Sequence, residues 1–151
     1  MKMENYVSIV LILANFSGLL INAIFDLRTR EISLATVGIT GACGIICRVL
    51  LLSDITTDAA LGLIPGLICL ILARLTKESI GYGDGWVLLG TGIGMGGQYM
   101  LSMCMMALFA AGLFALVLIV CFHKGRKYQL PLVPFLLLGY LCTLFASLAV
   151  V

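Results

Sequence analysis

Six apolar runs of near-spanning length recur along the chain, at 6–25, 33–52, 59–75, 84–98, 99–122 and 131–151, and nothing else in the sequence constrains its fold as strongly. Backbone groups in hydrocarbon must find hydrogen-bond partners within their own segment. A run of about twenty apolar residues is therefore read as a helix crossing about 30 Å of bilayer. Composition agrees, with 62% of residues hydrophobic, 11% charged and a mean hydropathy of +1.20. A soluble domain of 151 residues could not cover its surface with nine basic and seven acidic side chains. The expected fold is an all-α integral membrane protein, a bundle of about six transmembrane helices forming a single domain over residues 1–151.

The fourth run is short and carries Gly90, Gly92, Gly94, Gly96 and Gly97, which lower helix propensity. The same small residues at small-x-x-x-small spacing let helix backbones approach closely, so tight packing against neighbours is expected there. A re-entrant or partly irregular segment is the alternative. The first run follows Lys2 and Glu4 and leads to no small-x-small cleavage site, so it reads as a retained helix rather than a signal peptide.

Six cysteines, Cys43, Cys47, Cys69, Cys104, Cys121 and Cys142, all lie in or beside apolar runs, and no CxxC pair occurs. They read as small packing residues, and no metal site is proposed from them. A net charge of +2 gives no basis for nucleic-acid binding. What matters is how the charges are sorted. Arg28 and Arg30 follow the first run, Arg74 and Lys77 the third, and Lys124, Arg126 and Lys127 the fifth. Short loops rich in lysine and arginine stay in the cytoplasm, which predicts both termini outside. Only Lys2 and Arg48 fall on the outer side, and Arg48 is expected to snorkel outward from the end of its run, beside a loop that carries Asp54 and Asp58. If the fourth run did not span, the 124–127 cluster would be outside and this sorting would break.

The acidic residues sort with the same topology. Glu4, Asp54 and Asp58 fall outside, whereas Asp26, Glu31, Glu78 and Asp84 fall on the cytoplasmic side. Asp26 ends the first run and Asp84 begins the fourth, so both carboxyls lie at one membrane boundary and can meet in space. Carboxylates at that depth are costly to desolvate and point to function. The plainer reading makes each an interface marker or helix cap, and Asp84 would suit an N-cap position.

Asp84 closes the motif Gly81-Tyr82-Gly83-Asp84. Asp26 sits in Phe25-Asp26-Leu27-Arg28-Thr29-Arg30-Glu31-Ile32, and Leu130-Pro131-Leu132-Val133-Pro134-Phe135 opens the last run. Taken together, in this order and at these places, the motifs resemble the prepilin peptidase family: type IV prepilin leader peptidases, which are GxGD membrane aspartyl proteases. The resemblance is to its short bacterial members that process tight-adherence pilins. It implies an aspartic endopeptidase in the cytoplasmic membrane of a prokaryote, which removes the basic leader from pilin-like precursors on the cytoplasmic side. It further implies Asp26 and Asp84 as the catalytic pair, with no metal or other cofactor. Two neighbouring carboxyls cannot both ionise cheaply, so one holds a proton while the other activates water.

Other residues are candidates for the substrate's side of the site. A side chain at Gly81 or Gly83 would obstruct an extended substrate backbone, although both glycines also suit a turn into the fourth helix. Pro131 and Pro134 stand where the last helix begins, and helix initiation alone also explains them. Glu31 and Glu78 are placed to pair with basic leader residues, although exposed loop charges are usually only solvated. The chain departs from the family in two places: Gly85-Trp86 follow Asp84 where an aliphatic residue and lysine are usual, and Ser33-Leu34 replace Pro-Asn after Ile32. It also lacks the cytoplasmic CxxC loop of longer members, which methylate the new pilin N-terminus, so no methyl transfer is expected. A proton- or cation-coupled transporter, or a non-catalytic subunit of a pilus or secretion assembly, is the competing reading. The sequence carries no indication of oligomeric state.

Overall fold

A computed structural model of the chain describes residues 2–52, 57–76, 81–122 and 130–149. Asp54, Lys77, Glu78, Lys124, Arg126 and Lys127 lie outside the described residues. Among those described there are six helices and no strand: α1 Lys2–Thr29, α2 Leu34–Leu52, α3 Thr57–Leu75, α4 Tyr82–Met95, α5 Gly97–Phe122 and α6 Val133–Ala149. Three stretches, Tyr6–Thr29, Thr57–Leu75 and Gly97–Cys121, are long and apolar enough to cross a membrane, and Leu34–Val49 and Val133–Ser147 are shorter apolar helices. Large apolar side chains such as Leu13, Ile39, Ile71, Phe109 and Phe145 face outward. In water that surface would be unfavourable by about 25 cal/mol for each Å² exposed, whereas lipid covers it without penalty. The molecule is an integral membrane helical bundle.

The centre of the bundle explains the glycines. At 14 residues, α4 is about 21 Å long, too short to span alone, and it is walled in by its neighbours. A Cβ at Gly44 of α2 would come 3.1 Å from the Gly94 nitrogen, and a Cβ at Gly66 of α3 would come 2.8 Å from Leu89. Gly62 of α3 and Gly92 meet backbone to backbone, each occupying the place of the other's missing Cβ. The order of these contacts makes α4 parallel to α2 and antiparallel to α3. Close packing is what Gly90, Gly92 and Gly94 support, while Gly96 makes the end of the run irregular. The helix stops sooner than its apolar run, which reaches 98. Gly96 adopts φ 80°, ψ 169°, a conformation essentially restricted to glycine, and a Cβ there would strike Asp58 and Arg48.

Arg48 does not snorkel outward. It is 8% exposed and turns into the bundle, where its Nη2 lies 3.5 Å from Asp58 Oδ2 and 3.4 Å from the Gly94 carbonyl oxygen. Asp58 Oδ1 in turn accepts the Gly97 N–H at 2.9 Å. The reason is the break at Gly96. It leaves carbonyls at the end of α4 and N–H groups at the start of α5 without helical partners, and a cation suits the first as an anion suits the second.

α6 runs antiparallel to α1, since the Tyr140 hydroxyl donates to the Ile12 carbonyl (3.0 Å) and Val133 meets Asp26. Between them and α5 lies the core, centred on Leu19, Met100, Met103, Val133 and Leu136. The ends of α1, α3 and α5 and the starts of α2, α4 and α6 gather at one end of the bundle, and the Arg48 clasp closes the other.

Candidate active site

One face of the second half of α1 is buried: Asn15, Gly18, Leu19, Asn22, Ala23 and Asp26 recur at helical spacing. The sequence suggested that α1 ends at Asp26, but the helix continues to Thr29. Thr29 Oγ1 donates to the Phe25 carbonyl (3.0 Å), and Arg30 closes the turn with φ 56° and an N–H bond to the Asp26 carbonyl (3.2 Å). That extra turn carries the Asp26 side chain inside the bundle, where the residue is only 8% exposed.

Asp26 Oδ2 accepts the backbone N–H of Val133 at 3.1 Å. Val133 opens α6, and the other donors of that first turn are accounted for. Pro134 has none, and the N–H groups of Phe135 and Leu136 both reach the Leu132 carbonyl, at 3.0 and 3.1 Å. Proline is well suited to a helical position whose N–H would otherwise be left over. The carboxyl of Asp26 thus caps α6 and sits at the positive end of its dipole. Pro131 precedes the helix, and both prolines are partly buried close to this contact.

Asp84 is the third residue of α4 and is partly buried. It is not the N-cap. That place belongs to Gly81, which makes no side-chain cap. The Asp84 carboxyl instead folds back over Gly81, where a Cβ would lie 3.0 Å from Oδ2. At Gly83 the space for a Cβ is filled by Ile32, whose Cδ1 would be 2.5 Å away. Both glycines therefore have a reason within the chain itself, where the sequence suggested room for a substrate backbone; Gly81 is exposed and Gly83 partly so. Gly85 packs on Leu70 of α3 and Trp86 faces outward.

Asp26 and Asp84 lie at the same end of the bundle, where the charge of Asp26 reaches Asp84. Arg30 acts in the same way on Asp26, and the Cys69 thiol of α3 lies within reach of Asp84. Glu31 is exposed on the segment after Asp26, and Glu78 lies outside the described residues. A separate cavity of about 300 Å³ lies towards the opposite end, lined by Asn15, Gly94, Tyr140, Thr143 and Ser147 among others. Neither aspartate borders it.

Sequence reading passed over Asn22, Ile32 and Val133. Asn22 carried a signal, since two asparagines in an apolar span, seven residues apart and followed by Asp26 one turn later, mark a polar stripe. Val133 carried none, because its contribution is a backbone N–H.

No curated protein and no solved structure matches the chain. A family model does, that of the type IV leader peptidases, over residues 13–120. The match runs from the middle of α1 to the last turn of α5, taking in both aspartates and the glycine-walled helix that carries the second, and stops short of α6. A bundle that brings two carboxyls from separate helices to one end is what that match covers, and the chain belongs to the type IV leader peptidase family.

Proposed function

We propose that this leader peptidase is an aspartic endopeptidase in which Asp26 and Asp84 share one proton and drive water onto the scissile amide of a prepilin-like precursor at the cytoplasmic face of the membrane. What supports this reading is that α1 and α4 bring their carboxyls to the same end of the bundle, where the charge of one reaches the other. Asp26 is assigned the ionised role, since it accepts the Val133 N–H at the start of α6, a setting that favours an anion. Asp84 then carries the proton.

In the first step the Asp26 carboxylate takes a proton from water as the water oxygen attacks the scissile carbonyl carbon, while Asp84 protonates the carbonyl oxygen. A neutral tetrahedral diol results, with the proton on Asp26 and the charge on Asp84. Collapse breaks the C–N bond: Asp26 gives its proton to the departing amine and Asp84 recovers one from the diol hydroxyl. Both carboxyls end as they began, and no metal or other cofactor takes part.

The cytoplasmic placement is supported by basic residues. Arg28, Arg30 and Arg74 stand at the aspartate end of the bundle, and in sequence Lys77 follows α3 while Lys124, Arg126 and Lys127 follow α5. On this reading the substrate's extended segment lies over Gly81 and beside Pro131 and Pro134. Glu31, with Glu78, meets the basic leader. Glu31→Lys is expected to raise KM for a basic leader about two- to fivefold, the scale of an exposed ion pair. An unchanged KM removes Glu31 from substrate binding.

Cleavage of a co-expressed prepilin by wild-type, Asp26→Asn and Asp84→Asn proteins tests the mechanism. Mass spectrometry of the product tests a second part of the reading, that the chain cleaves without methylating: the new N-terminus is expected unmodified, and an added methyl group would refute it.

A further inference from the structure

We infer that Asn22 is a positioning residue that sets the distance between the two carboxyls through the strap of residues 30–33. This rests on the reading of Asp26 and Asp84 as the reacting pair.

Asn22 is 1% exposed and both ends of its amide are used. Nδ2 donates to the Gly18 carbonyl at 2.9 Å, which fixes the side chain against its own helix. Oδ1 accepts the N–H of Ser33 at 3.1 Å, eleven residues away on the far side of the turn. A buried amide with each group satisfied is held in one orientation, and losing its partner would leave the Ser33 N–H unpaired.

The latch bears on each aspartate by a separate route. Asp26 stands one helical turn beyond Asn22 on the same buried face of α1. Ile32, next to the latched Ser33, fills the space over Gly83, and Gly83 directly precedes Asp84. Asn22 therefore ties the helix that bears one carboxyl to the immediate neighbour of Ile32, the residue against which the start of the other helix is seated. Between the two anchors the strap is short. Arg30 takes the left-handed turn, and Glu31 donates its N–H to Thr29 Oγ1 at 3.3 Å. With the latch broken, Ile32 is free to leave Gly83, and the start of α4 loses its seat against α1.

Separation matters because the coupling of two carboxyls sets the spread between the two apparent pKa values of the pair. Among the described residues, the titratable groups reaching the pair are Arg30 from the strap and the Cys69 thiol from α3; α6 contributes only the Val133 N–H, which does not titrate. A wider pair should titrate as two nearly equal carboxyls, bringing the acid and alkaline limbs of the rate profile together.

The test uses full-length protein in lipid nanodiscs, with prepilin cleavage followed across pH for the wild type, Asn22→Leu and Ile32→Ala. Both variants are expected to lose ten- to a hundredfold in kcat, with KM within twofold of wild type and the two limbs closer by about one pH unit. A residue that only stabilises the turn would lower the unfolding midpoint and leave the pH profile alone, and that result overturns the proposal. If Asn22→Leu does not fold, Ile32→Ala decides on the same criteria. Should Asp26→Asn and Asp84→Asn both still cleave, the reading of the pair fails first. Should they abolish cleavage while Asn22→Leu and Ile32→Ala keep the wild-type profile, the pair stands and only this inference falls.

Discussion

Asp26→Asn and Asp84→Asn are each expected to lower prepilin cleavage about a thousandfold or more, the scale of losing a general acid or base whose partner cannot act alone. Asparagine keeps the shape of aspartate but can neither hold the proton nor accept one from water. Its carbonyl oxygen can still accept the Val133 N–H, so the cap on α6 that Asp26 provides survives the change. Neither substitution leaves a buried charge unpaired, and removing a partly desolvated carboxyl relieves a cost rather than adding one. The variants should therefore insert and fold as the wild type does, and the loss reads chemistry alone. Because the pair acts as a unit, the double variant should be no slower than either single one. A gel assay of leader removal, with membrane levels of each variant measured alongside, provides the check. Cleavage within tenfold of wild type by either variant would take that aspartate out of the mechanism.

Gly92→Ala is expected to destabilise the bundle by about 3 kcal/mol, at the upper end for overpacking a well-filled core. The new methyl group would land on the Gly62 carbonyl oxygen, and a methyl group at Gly62 would land on that of Gly92. The obstacle in each case is backbone, which cannot rotate aside as a side chain can. Nor can α4 retreat, since Gly44 of α2 presses on Gly94 from another side. Gly38→Ala and Gly112→Ala are the contrast. A Cβ at either place meets nothing within 4 Å, so alanine there should be neutral or stabilising by up to about 1 kcal/mol through helix propensity. Equilibrium unfolding in mixed micelles measures all three. A wild-type midpoint for Gly92→Ala would mean that α3 and α4 are not held at this distance.

Those two expectations draw on information of different reach. Asp26 and Asp84 stand out as candidates from the chain alone, because few acidic residues interrupt the apolar runs and the GxGD and FDLRTREI patterns are local. The crossing of Gly62 with Gly92 could not. Glycines at close spacing suggest a near approach, but not which helix approaches. Arg48 shows the same limit. Its place near the end of an apolar run suggested an outward-reaching side chain, yet it turns inward to Asp58 and to the Gly94 carbonyl, which the break at Gly96 frees 46 positions away in the chain. Gly83 is a third case, where the neighbour that requires glycine is Ile32, in the turn after α1.

From sequence alone came the solvent, the number of helices, the family resemblance and the two carboxyls, because apolar length, charge sorting and short motifs are properties of contiguous residues. The seat of Ile32 over Gly83 and the Val133 N–H held by Asp26 across 107 positions of chain were decided by the tertiary structure. The physical reason is that a buried polar group takes whichever partner packing brings within about 3 Å, and in a membrane bundle that partner usually belongs to another helix.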